Sequence, residues 1–317
     1  MSELSKFLER QVQDFEPPIR FLVDHCLQNR GKRIRPSLVF LTGDLDDPGT
    51  LKNLVRVAAV VEIVHIATLV HDDILDRAEK RRGQPTVSAE FGAHTAVLLG
   101  DALFSHALHL ASQFDTVEVC RLVSQSTRRV CSGEIAQTFR RGDWNLPLDH
   151  YLELLDMKTG ELFSMSTYLG GLLSDYPREQ CRVLRRFGSR LGIAYQAYDD
   201  LADFIGDEKK IGKTLGTDLS TGKATLPLIQ LFNRQNETAS GKLIRALQNA
   251  DEATVRTILE SHGIYKQGIS FVSDLLDEAV ACLVDLPRNS KVRGNLHDLS
   301  QFLRMKLEEL DKSRMAI

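Results

Sequence analysis

The chain has 317 residues with 40 basic and 43 acidic side chains, so its formal charge is −3 with histidine neutral. This balance excludes a protein that binds nucleic acid through an excess of positive charge. Hydrophobic residues make up 43% of the chain and charged residues 26%, which is typical of a globular protein with a sizeable core and excludes a disordered chain.

The cysteines and the N-terminal residues bear on the compartment. The five cysteines are scattered and form no Cys-x-x-Cys pair, which favours free thiols in a reducing compartment. The first thirty residues carry acids from Glu3 onward and lack a basic head followed by an apolar run, so no signal peptide is predicted. No uncharged apolar stretch approaches the ~20 residues of a membrane span. We therefore expect a cytoplasmic protein without a transmembrane segment.

Apolar residues recur at steps of three or four along most of the chain, which predicts helices, and no strand-type alternation is sustained. In chain order, the clearest helical runs cover residues 151–173, 178–205 and 271–283. Breaks rich in glycine, proline and polar residues separate the predicted helices at 31–36, 46–49, 81–85, 142–147, 175–177, 206–222 and 287–290. Because no low-complexity linker or repeat divides the chain, we expect one all-α domain over residues 1–317 with about ten or more helices.

The same acidic pattern occurs twice, each time at the C-terminal end of an apolar helical run. The first motif is Asp72, Asp73 and Asp76, and the second motif is Asp199, Asp200 and Asp203. Within each motif the first and last aspartates are four residues apart, so they stack on one helix face about 6 Å apart. Like charges this close repel one another, and the helix dipole disfavours anions at a C-terminal end. A bound cation would compensate for both effects.

A divalent cation with oxygen ligands is the predicted partner of these aspartates. Carboxylates without nearby cysteines suit magnesium, which binds one or two carboxylates and completes its coordination with water and substrate phosphates. Two such motifs predict a diphosphate bridged by magnesium. Asp72, Asp76 and Asp199 are the expected direct ligands, while Asp73, Asp200 and Asp203 are expected to bind through water or to orient the others.

Basic residues next to these helices supply the positive charge that phosphates need. One cluster, Arg30, Lys32, Arg33 and Arg35, precedes Pro36, and a second, Arg77, Lys80, Arg81 and Arg82, follows the first motif. Lys158, Lys213 and Lys223 are further candidates, as point charges beside the planar arginines. His65 shares a helix face with Asp72 and is a candidate donor to a diphosphate, whereas the role of His71 stays open.

These motifs, in this order, resemble those of the trans-isoprenyl diphosphate synthases, or polyprenyl synthetases. The resemblance covers about residues 31–230 and rests on Gly31-Lys32-Arg33-Ile34-Arg35-Pro36, His65 to Asp76 with Arg81-Arg82-Gly83-Gln84-Pro85-Thr86, Gly100-Asp101, Lys158-Thr159-Gly160, Tyr195 to Asp203 and Gly222-Lys223-Ala224-Thr225-Leu226-Pro227. It implies an isoprenoid-synthase-like bundle of helices around a central cavity, usually as a homodimer. The helices from about residue 235 to 317 carry no motif.

The resemblance also implies roles for individual residues. Lys32, Arg35, His65 and Arg82 would hold isopentenyl diphosphate, while Arg81, Lys158, Thr159, Gln196, Lys213 and Lys223 would hold an allylic diphosphate together with two or three Mg²⁺ ions on the aspartates. Ionisation of the allylic carbon–oxygen bond places negative charge on the departing diphosphate, which preplaced cations stabilise. The double bond of isopentenyl diphosphate then attacks the allylic cation, and loss of a proton restores an alkene. Farnesyl, geranyl and geranylgeranyl diphosphate are the expected primers, and release of the long product implies transient contact with a membrane.

Product length is predicted from the helix that carries the first motif. Thr68 and Ala67 lie one turn before Asp72, about 6 to 7.5 Å away, and Val64 lies a further turn down. None of the three is bulky. In the family, aromatic side chains at the first two positions form a floor that stops growth, so their absence resembles a long-chain synthase. The alternative is a short-chain farnesyl or geranylgeranyl diphosphate synthase whose floor lies elsewhere, near Phe104 or Phe114.

Other function classes remain open. The pair His71 and Asp72 would suit a metal phosphohydrolase, which leaves the second motif and the turn at 31–36 unexplained. A non-catalytic partner subunit would be free to lose its aspartates, yet both motifs are complete. A terpene cyclase would have no need of the basic residues assigned to a second diphosphate.

Overall fold

Helices account for most of the residues that the computed structural model describes, which are 1–28, 31–206, 219, 221–233, 237–249 and 251–315. Arg30 and Lys213 of the predicted basic set lie outside these residues. The α-helices are α1 (Ser2–Gln11), α2 (Arg20–Gln28), α3 (Ile34–Thr42), α4 (Pro48–Leu75), α5 (Val87–Phe91), α6 (Ala93–Ser112), α7 (Val117–Phe139), α8 (Leu148–Leu155), α9 (Glu161–Leu172), α10 (Arg178–Ile205), α11 (Leu226–Phe232), α12 (Glu237–Gln248), α13 (Glu252–Ser261), α14 (Ile264–Cys282) and α15 (Lys291–Met315). The predicted all-α architecture is confirmed.

Short elements complete the chain between these helices. Single 3₁₀ turns occupy Val12–Asp14, Pro17–Ile19 and Leu283–Asp285, and a π turn occupies Asp156–Gly160 between α8 and α9. Strands β1 (Lys80–Arg81) and β2 (Gln84–Pro85) pair antiparallel, with Arg81 opposite Gln84. Both turn residues, Arg82 and Gly83, have positive φ, the conformation that two-residue hairpins favour. Strands of two residues are too short to show an alternating pattern, so this hairpin was not predicted.

Helix α4 is largely buried in the core, and the first motif lies at its C-terminal end. It begins at Pro48 because the carboxylate of Asp47 accepts a hydrogen bond from the Thr50 amide at 2.6 Å and caps the helix. Its 28 residues extend about 42 Å. Of the described helices, α4 is the one apolar and long enough to cross a membrane, with a mean hydropathy of 1.8, but 67% of that stretch is buried inside the protein, as in a core helix.

Helix α10 carries the second motif in its last two turns. Its bounds coincide with the predicted helical run, and its apolar stripe packs against α9, α14 and the π turn. Close approach depends on two glycines, because a side chain on Gly188 would meet the backbone of Phe163, and one on Gly192 would meet Cα of Gly160. The predicted run over residues 151–173 is helical as expected, except that the π turn interrupts it.

Candidate active site

A cavity of about 420 Å³ lies where the two aspartate motifs meet. Its lining comes from α3, α4, β1, α6, α7, α8, the π turn, α9, α10 and the segment before α11. The lining is charged or polar at Arg35, His65, Asp72, Asp76, Arg81, Glu134, Gln137, Lys158, Thr159, Gln196, Asp200 and Lys223, and apolar at Leu69, Phe104, Val130, Leu155 and Leu162. The cavity therefore offers both an ionic surface for phosphates and an apolar wall for a hydrocarbon.

The three aspartates of the first motif have different surroundings. Asp72 and Asp76 line the cavity, as expected of direct ligands. Asp73 is buried, and its Oδ1 accepts two hydrogen bonds from Arg81, from Nε at 2.9 Å and from Nη2 at 2.7 Å. This contact fixes the β-hairpin against the end of α4, so Asp73 orients Arg81.

Asp76, which follows the last residue of α4, is held by two cations from distant segments. Lys223 Nζ donates to its Oδ2 at 2.6 Å, and Arg141 Nη2 donates to its Oδ1 at 2.7 Å. Arg141 Nη1 also donates to the carbonyl of Leu75 at 3.0 Å, which places positive charge at the C-terminal end of α4. Arg141 has no counterpart among the residues predicted from the sequence.

In the second motif, Asp200 is the aspartate that lines the cavity. Its Oδ2 accepts a hydrogen bond from the hydroxyl of Tyr151 at 2.7 Å, and its Oδ1 accepts one from Gln196 Nε2 at 2.9 Å. The hydroxyl of Thr159 donates in turn to Gln196 Oε1 at 2.9 Å. Asp199 is not part of the described lining, and Asp203 is completely buried. Asp200, expected to assist, thus holds the position in the cavity expected of Asp199.

Lys158 faces the cavity beside two residues of α7 that the sequence did not identify. Its Nζ forms an ion pair with Glu134 and donates to Gln137 Oε1 at 2.5 Å. Burial, and then the carboxylate of Glu134, raise the pKa of Asp72 to about 7. Lys158 and Lys223 lower this pKa but do not offset burial, so a cation bound at Asp72 would stabilise the charged carboxylate.

On the side of α3, Arg35 and His65 form a buried pair. Arg35 Nη1 donates to His65 Nε2 at 3.1 Å, and its guanidinium lies 5.2 Å from the ring centre of Phe163. Burial, together with the charge of Arg35, holds the pKa of His65 well below 6.5, so this imidazole is neutral and accepts at Nε2. His65 therefore positions Arg35 in this arrangement.

Two other residues predicted to hold isopentenyl diphosphate lie outside the described cavity lining. Lys32 is exposed, and Arg82 packs against the loop before α3, where a side chain on Gly31 would overlap its guanidinium. Burial lowers the pKa of Arg82. The loop and the hairpin are thus in direct contact beside the cavity.

The positions predicted to set product length divide into two groups. Thr68 lines the cavity, and its hydroxyl donates to the carbonyl of His65 at 2.7 Å. Ala67 and Val64 are completely buried and do not belong to the cavity lining that the structure describes. Phe104 of α6 lines the cavity, whereas Phe114 packs under the guanidinium of Arg56 at 4.6 Å. Of the two aromatic residues considered as a floor for the product, Phe104 is the one that lines the cavity.

His71, whose role the sequence left open, contacts the backbone of α6. Its Nε2 donates to the carbonyl of Val97 at 3.1 Å, and its ring lies so close to Gly100 that a side chain there would overlap it. This contact explains the need for glycine at position 100 and engages Nε2 with a backbone carbonyl, although His71 also lines the cavity.

The described side chains include no group of three His, Cys, Asp or Glu residues already gathered as a metal site. The aspartate oxygens instead bind arginine, lysine, tyrosine and glutamine, as given above. The donor set nevertheless suits a hard cation, because Asp72 and Asp76 offer carboxylate oxygens to the cavity. Cys131 also lines it, but burial raises the pKa of this thiol, so it is not a thiolate ligand.

Comparison with known proteins agrees with this geometry. The polyprenyl synthetase family model matches residues 16–262. Heptaprenyl diphosphate synthase component 2 of Geobacillus stearothermophilus is 32% identical over 307 residues, 96% of this chain and 94% of that protein. The short chain isoprenyl diphosphate synthase of Methanocaldococcus jannaschii is 35% identical over 231 residues, 71% of this chain and 69% of that protein. A solved polyprenyl synthase from Caulobacter crescentus, complexed with calcium and isoprenyl diphosphate, is 30% identical with a TM-score of 0.86 over 95% of this chain and 93% of its own. The chain belongs to the polyprenyl synthetase family.

Proposed function

We propose that this protein condenses isopentenyl diphosphate with an allylic diphosphate to make an all-trans polyprenyl diphosphate, releasing diphosphate. The observation that carries the proposal is a single cavity lined by aspartates of both motifs, by Lys158 and Lys223, and by an apolar wall. Both aspartate motifs are complete, which argues against a non-catalytic subunit. The engaged Nε2 of His71 argues against a phosphohydrolase built on that residue.

The allylic diphosphate would be held by Lys158, Thr159, Gln196, Lys223 and Arg81. All five line the cavity, and the predicted partner Lys213 lies outside the described residues. When the allylic carbon–oxygen bond ionises, negative charge develops on the diphosphate oxygens. Lysines already in place stabilise that charge without reorganisation, which is the kind of interaction that lowers a barrier.

Isopentenyl diphosphate would be held by Arg35, Lys32 and Arg82, with His65 orienting Arg35. Its double bond attacks the allylic cation, forming the new carbon–carbon bond. Loss of a proton from the adjacent carbon then restores an alkene. No side chain of the protein forms a covalent bond in this sequence of steps.

Asp72, Asp76 and, in the position expected of Asp199, the cavity-lining Asp200 would hold magnesium, as two or three ions, and the metal when bound would supply positive charge to the departing diphosphate. In this structure Lys223 and Arg141 engage Asp76. Binding therefore requires these cations to exchange their carboxylate partner for phosphate oxygens, which accept hydrogen bonds from lysine and arginine equally well.

The proposed product is long, and the proposed primer is farnesyl, geranyl or geranylgeranyl diphosphate. The small residues at the predicted length-setting positions support both proposals. Thr68 is the one that reaches the cavity, and Ala67 and Val64 lie behind it in the core. The short-chain alternative rests on Phe104, which lines the same cavity. Relatives of both length classes match the chain, so product length has to be measured.

A homodimer in the cytoplasm is the assembly we propose. Exposed apolar side chains on α6 and α7 support it, since Leu98 is 69% exposed and Phe139 is 86% exposed. Free cysteines suit a reducing compartment. Release of a long hydrocarbon product would require transient contact with a membrane.

One assay tests the proposed reaction, the primer and the product length together. The purified protein is incubated with magnesium and labelled isopentenyl diphosphate, with each of dimethylallyl, geranyl, farnesyl and geranylgeranyl diphosphate as primer, and the dephosphorylated products are sized. Elongated all-trans alcohols support the proposal, and their length distinguishes the two length classes. Release of free phosphate without a new carbon–carbon bond would indicate a phosphohydrolase, and a cyclic hydrocarbon from the primer alone would indicate a cyclase.

A further inference from the structure

The π turn Asp156–Gly160 separates two cavities. Lys158 and Thr159 line the active-site cavity, whereas Asp156 and Met157 line a second groove of about 1250 Å³. Glu161, the first residue after the turn, also lines this groove. No described residue belongs to both linings. Lys158 and Thr159, two of the residues expected to hold the allylic diphosphate, thus lie on a turn whose other side makes different contacts.

The groove is rich in arginine, but its charges are balanced. Its described lining contains five arginines and five carboxylates, so it carries no net charge. A groove of this kind does not attract an anion by its overall field. Its ion pairs therefore act as contacts that hold segments of the chain together.

One arginine of α7 spans the π turn. Arg129 Nη2 donates to Asp156 Oδ2 at 2.7 Å, and its Nε lies 3.2 Å from Glu161 Oε2. Asp156 and Glu161 are five residues apart. In an α-helix, residues five apart point about 140° away from each other, whereas the wider π turn, with its i→i+5 hydrogen bonds, brings them closer to one face. The fork of Arg129 therefore fits the π conformation better than an uninterrupted α-helix.

Both carboxylates are fixed from a second direction as well. The hydroxyl of Ser189 donates to Asp156 Oδ1 at 2.6 Å, and the hydroxyl of Ser126 donates to Glu161 Oε1 at 2.6 Å. Each of the four carboxylate oxygens thus has a donor. Gly160 leaves the space for this arrangement, because a side chain there would come within 2.6 Å of Asp156 Oδ1.

We propose that Arg129, Asp156 and Glu161 are positioning residues that hold the π turn so that Lys158 and Thr159 face the allylic diphosphate. This inference rests on the proposed function. The Arg129 side chain is 43% exposed, so its pairs contribute little to stability, and the buried Glu161 keeps the hydrogen bond from Ser126 and lies 4.0 Å from Arg185. Loss of the contact is therefore expected to appear in catalysis, with folding retained.

The test compares Arg129→Lys and Arg129→Gln with a matched control. Lysine keeps the charge but lacks the planar fork that spans two carboxylates. Arg186→Lys is the control, because Arg186 lies in the same groove and pairs with Asp285 at 2.6 Å, away from the turn. A displacement of about 1 Å at a reacting group can cost about 10²-fold in rate, so kcat/KM for the allylic substrate should fall by up to that factor in both Arg129 variants. The KM for isopentenyl diphosphate should not change, and Arg186→Lys should behave as wild type.

A double variant shows whether Arg129 acts through the lysine. If it does, Arg129→Gln should cause a smaller further loss in a Lys158→Ala background than in wild type, because one of the two residues that it positions is already absent. An equal loss in both backgrounds would overturn the proposal.

Hydrogen exchange of the amides of residues 156–161 gives a readout that does not need turnover. Exchange should be faster in Arg129→Gln than in wild type and unchanged in Arg186→Lys. Unchanged exchange in Arg129→Gln would refute the positioning role. Failure of wild-type protein to elongate any primer would refute the proposed function alone, since the exchange comparison could still succeed.

Discussion

Two buried tyrosines allow a direct test of the hydrogen bonds behind the second motif. The Tyr151 side chain is 2% exposed, and its hydroxyl donates to Asp200 Oδ2 at 2.7 Å. The Tyr265 side chain is 4% exposed, and its hydroxyl has no hydrogen-bond partner among the residues that the structure describes. Replacement by phenylalanine removes the same oxygen atom from two equally buried positions, so the variants are matched controls for each other.

We expect the two substitutions to change the free energy of unfolding in opposite directions. A hydrogen bond to a charged group contributes about 1.5–3 kcal/mol, so Tyr151→Phe should destabilise the protein by roughly that amount. A buried hydroxyl without a partner costs about 1–3 kcal/mol in lost hydration, so Tyr265→Phe should leave stability unchanged or increase it.

Denaturant unfolding measures both effects as a shift of the midpoint at an unchanged slope. Turnover should fall only in Tyr151→Phe, because Asp200 is linked through Gln196 to Thr159 in the cavity. Equal midpoint shifts for the two variants would refute the assignment of the Tyr151–Asp200 bond as a charge-assisted contact. A loss of turnover in Tyr265→Phe would show that the kinetic effect is not specific to the motif.

Three further outcomes follow from the site. Asp72→Ala should lower the rate at least 10²-fold, about 2.7 kcal/mol of barrier, with an unchanged circular dichroism spectrum, and near-normal turnover would contradict the mechanism. Thr68→Tyr should shorten the product more than Ala67→Phe, because only Thr68 lines the cavity, and the product ladder by chromatography measures this. Because the folded pKa of His65 lies well below 6.5, the unfolded chain takes up the proton first as the pH falls. The free energy of unfolding should therefore decrease as the pH falls below about 6.5, and this decrease should be steeper in wild type than in His65→Gln. The difference in slope should be up to about 1.4 kcal/mol per pH unit. Identical pH dependences of the two proteins would argue against a buried neutral His65.

Local pattern predicted the long helices and the presence of both motifs. The stripe of α10 is uninterrupted from Cys181 to Ile205, so its bounds could be read from spacing alone. Spacing also placed Asp72 and Asp76 on one face, and both line the cavity. Patterns of this kind succeed because they depend on residues close together in the chain.

Residues that act through distant partners were missed, although one signal could have found some of them. The buried stripe of α7 runs through Val123, Ser126 and Val130, and Glu134 and Gln137 continue it at helical spacing. Polar residues on an otherwise buried stripe indicate that the stripe enters a polar cavity. No such signal marks Arg141, because it lies after the end of α7 and contacts Asp76, which is 65 positions away in the chain.

The π turn was also beyond local prediction, for a physical reason. A π turn inserts one extra residue without breaking the run of helical hydrogen bonds, so apolar spacing on either side remains helical. The turn is contacted by the fork of Arg129, contributed by α7, and by Gly192, which lies against Gly160. These are tertiary contacts that no window of sequence contains.

The six aspartates are equivalent in spacing but not in charge environment. Asp73 is neutralised by Arg81, eight residues away, and Asp76 by Arg141 and Lys223. Asp72 instead faces the carboxylate of Glu134, and its pKa of about 7 reflects burial next to that second negative charge. Lys158 and Lys223 lower this pKa without offsetting burial, so a bound cation would further stabilise the charged form of Asp72. For that reason, and under the proposed function, removal of the Asp72 carboxylate is the substitution expected to lower turnover most directly.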